Sequence, residues 1–158
     1  MARIVLTDVE VLLADGNTPP VSPTHSIGEY IASVTISTPE DVVETTAFGP
    51  VGARTRTSGL KDHSIALEFH NDFASGAMEQ VIDAIGIGQL ANIIIKPTSA
   101  AISTTNPAYK ADDSSSGATK AGQVLVSEWT PLNGAVGELS TVSVTWPISG
   151  QIVKDTTP

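Results

Sequence analysis

Alternating apolar and polar positions mark the clearest elements of this chain, which are two strands. One covers 29–37 and the other covers 62–71, and in both the apolar residues recur at every second position. The packed faces consist of Ala32, Val34 and Ile36 in the first strand and of His63, Ile65, Leu67 and Phe69 in the second. Because successive side chains of a strand point to opposite faces, both patterns predict a sheet with one packed and one solvated face.

Other segments predict strands by composition as much as by period. The stretch 4–13 is rich in β-branched residues, with Asp8 and Glu10 on one face and valines on the other, and 90–95 is almost continuously apolar. Two further runs, 123–129 and 138–146, flank a Pro- and Gly-containing segment, which predicts a hairpin with a long loop. A short final strand is expected at 151–153.

A single α-helix is predicted at about 75–86. Its apolar residues have the i, i+3, i+4, i+7 spacing of one helical face. We expect this face, Met78, Val81, Ile82 and Ile85, to pack against the sheet. Ser75 is placed to cap the first turn, and Gly86 suits the left-handed residue that ends a helix.

The remaining segments show no regular period. Prolines fill much of 14–28, glycines and Pro50 predict turns within 39–61, and 98–122 and 150–158 are polar. We therefore expect one domain, 1–158, with these four segments extended or mobile. The predicted fold is mainly β, an antiparallel β-sandwich or barrel with one short flanking helix and long inter-subunit loops.

Composition narrows the function classes. The formal net charge is -9, which disfavours proteins that bind phosphate backbones through a basic surface. Charged residues make up 16% of the chain, against about 25% in ordinary soluble domains, so neighbouring subunits are expected to cover part of the surface. Cysteine is absent, which excludes disulfides and thiolate metal sites, and no apolar run approaches the length of a membrane span.

Candidate chemistry is sparse. His63 and His70 are seven residues apart and point to opposite faces of a strand, so they cannot share a metal; only Glu68 and His70 share a face. The polar run 112–117 resembles the start of a calcium loop but lacks the required glutamate at its twelfth position. No GxSxG, Walker or HExxH motif occurs. We expect no enzyme, metal or cofactor.

Two of the three arginines, Arg54 and Arg56, lie in the irregular segment 39–61. If that part is extended, they point to the same side and could meet carboxylates of a neighbouring subunit, since arginine suits bidentate pairing. The alternative is a solvated loop tip. Flanking apolar residues favour the interface, for which the candidates are Thr46, Phe48, Val51, Arg54, Arg56 and Leu60.

This region resembles the major tail tube proteins of long-tailed (siphovirus-type) bacteriophages. The similarity rests on 45–49 after an acidic lead-in, on Arg54 and Arg56, and on 59–67 followed by a strand, Phe73 and a short helix. The order of the predicted elements extends it over most of the chain. The segments 18–23 and 98–122 have no counterpart in the family pattern.

The resemblance implies homohexameric rings that close a β-barrel and stack into a tube in the virion tail. DNA would pass through the lumen without specific binding, and Glu68 and His70 are the candidates for lumen-facing residues. The implied partners are further copies of the chain and the tape-measure, tail-terminator and distal tail proteins. Such a protein is made in the host cytoplasm and contacts no membrane. An acidic wall would let DNA slide, whereas a basic wall would hold its phosphates.

Three alternatives stay open at this level. The chain could form the tube of a bacterial injection machine, which has the same architecture. It could be a capsid-decoration or receptor-binding β-sandwich, whose recognition loop would be 98–122. An enzyme would require a polar cleft that the sequence does not assemble.

Overall fold

The computed structural model describes residues 5–15, 25–47, 52–75, 77–112 and 121–157. These residues form eleven strands, one α-helix and a 3-10 turn at Gly28–Tyr30. In chain order the elements are β1 Glu10–Asp15, β2 His25–Ser26, β3 Ile31–Ser37, β4 Glu40–Glu44, β5 Arg56–Lys61, β6 Ser64–His70, α1 Met78–Ile85, β7 Leu90–Lys96, β8 Ala108–Ala111, β9 Gln123–Leu125, β10 Thr141–Ser149 and β11 Val153–Asp155.

Nine of the strands form one curled antiparallel sheet, a half-barrel, which confirms the predicted fold class. Strand β7 pairs with β1, β8 and β9, so it is the centre of one half. Strand β9 leads to the other half, in which β10 pairs with β6 and β6 pairs with β3. The predicted hairpin is present with Val124 opposite Ile148, but β9 ends at Leu125 and β10 begins at Thr141, so the connecting segment is longer than the predicted 131–137.

The core lies inside this curl and is closed by α1. Phe69, Trp146 and Leu13 are fully buried there. The Phe69 ring lies 5.7 Å from the Trp129 ring, edge to face, and 6.2 Å from the Trp146 ring. Trp146 also donates its indole N–H to the Glu128 carbonyl at 2.9 Å, so this large side chain is buried with its polar group bonded.

Helix α1 begins later than predicted and has a different start. It begins at Met78 with Ala77 as N-cap, and no side chain caps it, so the predicted cap at Ser75 is wrong. Asp72 instead accepts a hydrogen bond from the Ala74 amide at 2.8 Å, which forms a turn before the helix. At the other end Gly86 has φ 87° and donates to the Ile82 carbonyl. The buried face of α1 consists of Met78, Val81, Ile82 and Ile85.

Two strand predictions are corrected by local geometry. Strand β1 begins at Glu10, so the segment before it is not part of the strand that the β-branched composition predicted. In β3 the pairing with β6 shifts by one residue between Ile31 and Ser33. This bulge turns Ile31 toward the core and leaves Ala32 exposed, although simple alternation had placed Ala32 on the packed face.

Segments expected to be irregular also contain strands. Within 98–122 the structure forms β8, which pairs with β7 and β11. Strand β10 continues through Pro147, a residue expected to end it; the ring faces solvent and lies opposite Ser64. In the described part of the chain, no helix has the length and apolar character needed to span a membrane.

Candidate subunit interface

The segment 40–61, expected to contain turns, is largely a β-hairpin, a two-stranded sheet of β4 and β5 that follows on from β3 and β6. Ser37 lies opposite Ser64, and in the same register Glu40 lies opposite Lys61. Between these pairs the Asp62 amide donates to the Pro39 carbonyl at 2.9 Å. The pairing register is therefore continuous from β3–β6 into β4–β5, and the four strands form one long antiparallel ribbon. We call the distal half, the described residues among 40–61, the arm.

Threonines extend the pairing of the arm beyond β4 and β5. The Thr45 amide donates to the Thr55 carbonyl at 2.9 Å. The Thr55 amide donates to the Thr46 hydroxyl at 3.0 Å. Thr46, predicted as an interface residue, thus holds the two strands of the arm together. Phe48 and Val51, the other two candidates on this side, lie outside the described residues.

A bulge near the base of the arm sets the position of Leu60. Val42 lies opposite Ser58, whereas Glu40 lies opposite Lys61, so Gly59 and Leu60 together face Asp41. A Cβ on Gly59 would lie 2.9 Å from the Asp41 Cβ, which explains why a glycine fits there. Leu60 is 81% exposed.

The arm is only two strands wide, yet it exposes several apolar side chains. Val42 is 66% and Val43 is 49% exposed, in addition to Leu60. An isolated two-stranded hairpin is marginally stable in water, and uncovered strand edges invite pairing with other chains. The sequence signal for this surface is the EDVVE run at 40–44, in which two valines stand among acids. The sequence analysis missed Val42 and Val43 because it expected turns there.

Charge is divided between the two strands of the arm. Glu40, Asp41 and Glu44 lie on β4, whereas the cations follow on the return strand. Those cations are Arg54, Arg56 and Lys61. The arm therefore carries three carboxylates on one strand and three cations on the other, which suits a partner with its own charges.

The two predicted interface arginines have a carboxylate within their own arm. Arg54 Nη1 lies 3.8 Å from Glu44 Oε2, and Arg56 is the residue directly opposite Glu44. Both side chains of the Arg54–Glu44 pair are more than half exposed, so this ion pair adds little stability, about 0–1 kcal/mol at most. Contact of either arginine with another subunit stays a prediction.

Glu68 and His70, the predicted lumen residues, lie on the outward face of the half-barrel. Both are half-buried and alternate with the core residues of β6. Glu68 lies opposite Ser33 on one side and Ser143 on the other, in a face dominated by serine and threonine. The face is polar and weakly charged, and its exposure to a lumen stays a prediction.

A groove of about 170 Å³ opens where the half-barrel is incomplete. Strand β3 pairs only with β6, so among the described residues its other edge has no strand partner. The groove lies beside that edge, and its lining is apolar: Leu6, Val9, Val34, Ile36, Ile95 and Tyr109 contribute. No group of three or more possible metal ligands occurs among the described residues.

Comparison with solved structures shows what this fold is similar to. The fold matches a chain in the cryo-EM structure of the anti-feeding prophage (AFP) baseplate, which was symmetrised six-fold. The match covers 99% of this chain and 97% of that chain, with a TM-score of 0.53 and 11% sequence identity. No family model and no curated protein matches. The two chains therefore share a fold over nearly their whole lengths.

Proposed function

We propose that this chain is a structural subunit of a phage-tail-like particle and that its copies form rings that stack into a tube. The observation that carries the proposal is the full-length fold match to a chain of a six-fold symmetrised prophage baseplate. A match over 97% of the other chain means that no large domain distinguishes the two. The predicted resemblance to siphovirus tail tube proteins points to the same kind of particle.

The geometry of the chain supports self-assembly at two places. The arm exposes Val42, Val43 and Leu60 on a two-stranded hairpin, and a neighbouring subunit that covered them would stabilise it further. The unpaired edge of β3 and the apolar groove beside it would be covered when adjacent subunits close a barrel. In this proposal neither surface is a binding site for a small molecule, and the chain is not an enzyme.

The polar face around Glu68 and His70 is then the wall of the channel. Its serines and threonines offer hydrogen bonds without a positive charge, and the net charge of -9 repels phosphates. DNA would slide through such a channel without being held. The proposed partners are the other proteins of a tail, namely the tape-measure, tail-terminator and distal tail proteins. The assembled protein would be located in the virion.

A tube of a bacterial injection machine is the second candidate. The prophage origin of the matched baseplate favours it over a decoration module, because the match is to a component of a baseplate and not of a capsid. Both leading candidates use the same rings, so they differ only in what passes through the channel.

Replacing the arm tests the proposal. Pro39 and Asp62 are already joined by a hydrogen bond, so a two-residue Asn-Gly turn between them closes the ribbon without 40–61. We expect this variant to fold and to stay monomeric, whereas the intact protein forms rings or tubes in negative-stain electron microscopy.

A control variant replaces Ala84, an exposed residue of α1, with serine and keeps the arm; it should assemble like the intact protein. If the intact protein stays monomeric at high concentration and with an initiating baseplate complex, the proposed function is wrong. If the intact protein and the shortened variant assemble equally well, the self-assembly proposal stands but the arm has no part in it.

A further inference from the structure

A second exposed surface lies at the opposite end of β6 from the arm. The Asn71 side chain donates from Nδ2 to the Pro131 carbonyl and to the Ser140 hydroxyl, both at 3.1 Å. The Asn71 amide also donates to the Ser140 carbonyl at 2.9 Å. Both ends of the loop 131–140 are thereby tied to the end of β6. We call residues 71–73 and 131–140 the loop end.

The loop end is apolar although it faces solvent. Val136 is fully exposed, Leu132 is 74% exposed, and Leu139 and Phe73 are each more than half exposed. The Asn71 bonds fix the ends of the loop, so these side chains are presented from a defined position. Large apolar side chains grouped on a surface mark a contact with another molecule.

The arm and the loop end cannot meet within one copy. Lys61 of the arm precedes β6, and Asn71 of the loop end follows it, so the full length of β6 separates them. Seven paired residues span roughly 23 Å. Two copies placed in line along this strand direction, however, bring the arm of one to the loop end of the next.

The loop end is acidic, whereas the arm carries three acids on β4, three cations on its return strand and no net charge. No lysine or arginine occurs in 62–95 or in 121–153, the segments that surround the loop end. Asp72 and Glu138 lie within the loop end itself, whereas Arg54 and Arg56 lie on the arm. Apolar side chains beside the acids of the loop end and the cations on the return strand of the arm give both adhesion and a defined orientation.

We propose that the loop end is the docking site for the arm of another copy of this chain. This inference rests on the proposed function and assigns its assembly contact to a specific surface. The contact is heterologous, because the two surfaces differ, so each copy keeps one free arm and one free loop end. Copies therefore add head to tail, in a fixed direction, as growth of a tube requires.

Cross-linking tests the contact directly, since the chain contains no cysteine. Leu60→Cys on the arm and Val136→Cys on the loop end are purified separately, with a size tag on one of them. Mixing the two under mild oxidation should give a mixed disulfide dimer. The matched control pairs Leu60→Cys with Thr35→Cys, an exposed position on the outward face of β3, and should give little mixed dimer.

Charge reversal gives an independent test. Arg56→Glu alone and Glu138→Arg alone should each weaken assembly by on the order of tenfold or more, because each places like charges at the contact. A chain carrying both changes should recover assembly. Because Arg56 also faces Glu44 within its own arm, it is recovery in the double variant, together with unchanged thermal unfolding of all three variants, that assigns the effect to association.

The outcomes separate the two levels of the proposal. If rings or tubes form but the Leu60→Cys and Val136→Cys pair cross-links no better than the control pair, the docking site is wrong and the proposed function stands. The same holds if the double reversal assembles no better than the single ones. If no assembly occurs at all, the proposed function fails and the docking site fails with it.

Discussion

The proximal and distal halves of one β-ribbon differ sharply in their environment. In the proximal half Ile65, Leu67 and Phe69 of β6 are at most 2% exposed, and the pairing with β3 and β10 covers both edges of the strand. In the distal half every residue of β4 is exposed, yet the backbone pairing continues. Backbone hydrogen bonds therefore propagate the ribbon beyond the region where burial stabilises it. The stability of the fold lies in the first half, and we propose that assembly lies in the second.

The largest expected effect concerns the core of the proximal half. Phe69→Ala removes a fully buried ring that contacts both Trp129 and Trp146. We expect the free energy of unfolding to fall by about 3–5 kcal/mol, the usual cost of deleting a buried phenylalanine. Urea titration followed by tryptophan fluorescence measures it. Leu60→Ala on the arm is the control and should change the free energy of unfolding by no more than about 0.5 kcal/mol. If Phe69→Ala and Leu60→Ala lowered it equally, stability would not lie mainly in the proximal half of the ribbon.

Substitution of two glycines, Gly122 beside the main sheet and Gly59 in the arm, tests the same difference between the two regions. A Cβ on Gly122 would lie 2.2 Å from the Ser149 carbonyl oxygen, within the sheet, so Gly122→Ala should lower the free energy of unfolding by about 1–3 kcal/mol. Gly59→Ala crowds Asp41 and Val43, both residues of the arm. We expect Gly59→Ala to leave the unfolding transition in place and to reduce the yield of assembled particles in size-exclusion chromatography. A large loss of stability in Gly59→Ala would show that the arm is part of the folding unit.

The exposed apolar residues of the arm give a smaller effect on stability. The double variant Val42→Ser and Leu60→Ser should unfold within about 0.5 kcal/mol of the parent, because both side chains face water in the monomer. The same variant should lose rings or tubes in electron microscopy. Normal tubes from this variant would remove the apolar surface of the arm from the proposed contact.

The smallest effect concerns two ion pairs. Lys110 Nζ lies 2.6 Å from Asp155 Oδ2 in the main sheet, and this hydrogen bond holds the pKa of Asp155 below its ordinary value. A lowered carboxyl pKa stabilises the fold above the unfolded pKa, so this contribution is lost as the pH falls below about 4. Asp155→Asn should cost about 1 kcal/mol or less at neutral pH, because the pair is partly exposed.

The corresponding change on the arm is Glu44→Gln. The Arg54–Glu44 pair is longer, at 3.8 Å, and more exposed, so no measurable change in stability is expected. Thermal unfolding at pH 7 and at pH 3 separates the two cases: the difference between Asp155→Asn and the parent should shrink at the lower pH. A difference that grows at low pH would contradict the assigned direction of the pKa shift.

The period of apolar residues in the sequence correctly predicted the buried side chains of elements that bury one face. The period of two in β6 identified its core side chains, and the helical period identified the four buried residues of α1. Pattern failed where burial is absent or the register shifts. The arm has no buried face, so its apolar residues show no period. In β3 the bulge places Ile31 on the packed side, where simple alternation had placed Ala32.

The sequence indicated which segment contains the candidate subunit interface, but it did not predict how the side chains of that segment are arranged. Arg54, Arg56 and Leu60 were singled out by their place in an irregular segment and by the spacing of the arginines, and all three lie on the arm. Their arrangement depends on cross-strand pairing with residues that the sequence places far away. For the same reason the loop end was not predicted, because Asn71 joins a loop about 60 residues further along the chain.

The sequence by itself determined a mainly β chain with one helix and few charged residues, since these follow from local periods and composition. The tertiary structure alone decided that 40–61 continues β3 and β6 as one ribbon, and that two surfaces with exposed apolar side chains lie at its two ends. Both features depend on register and on contacts between distant residues. Such contacts are set by the whole packed chain, and no local period encodes them.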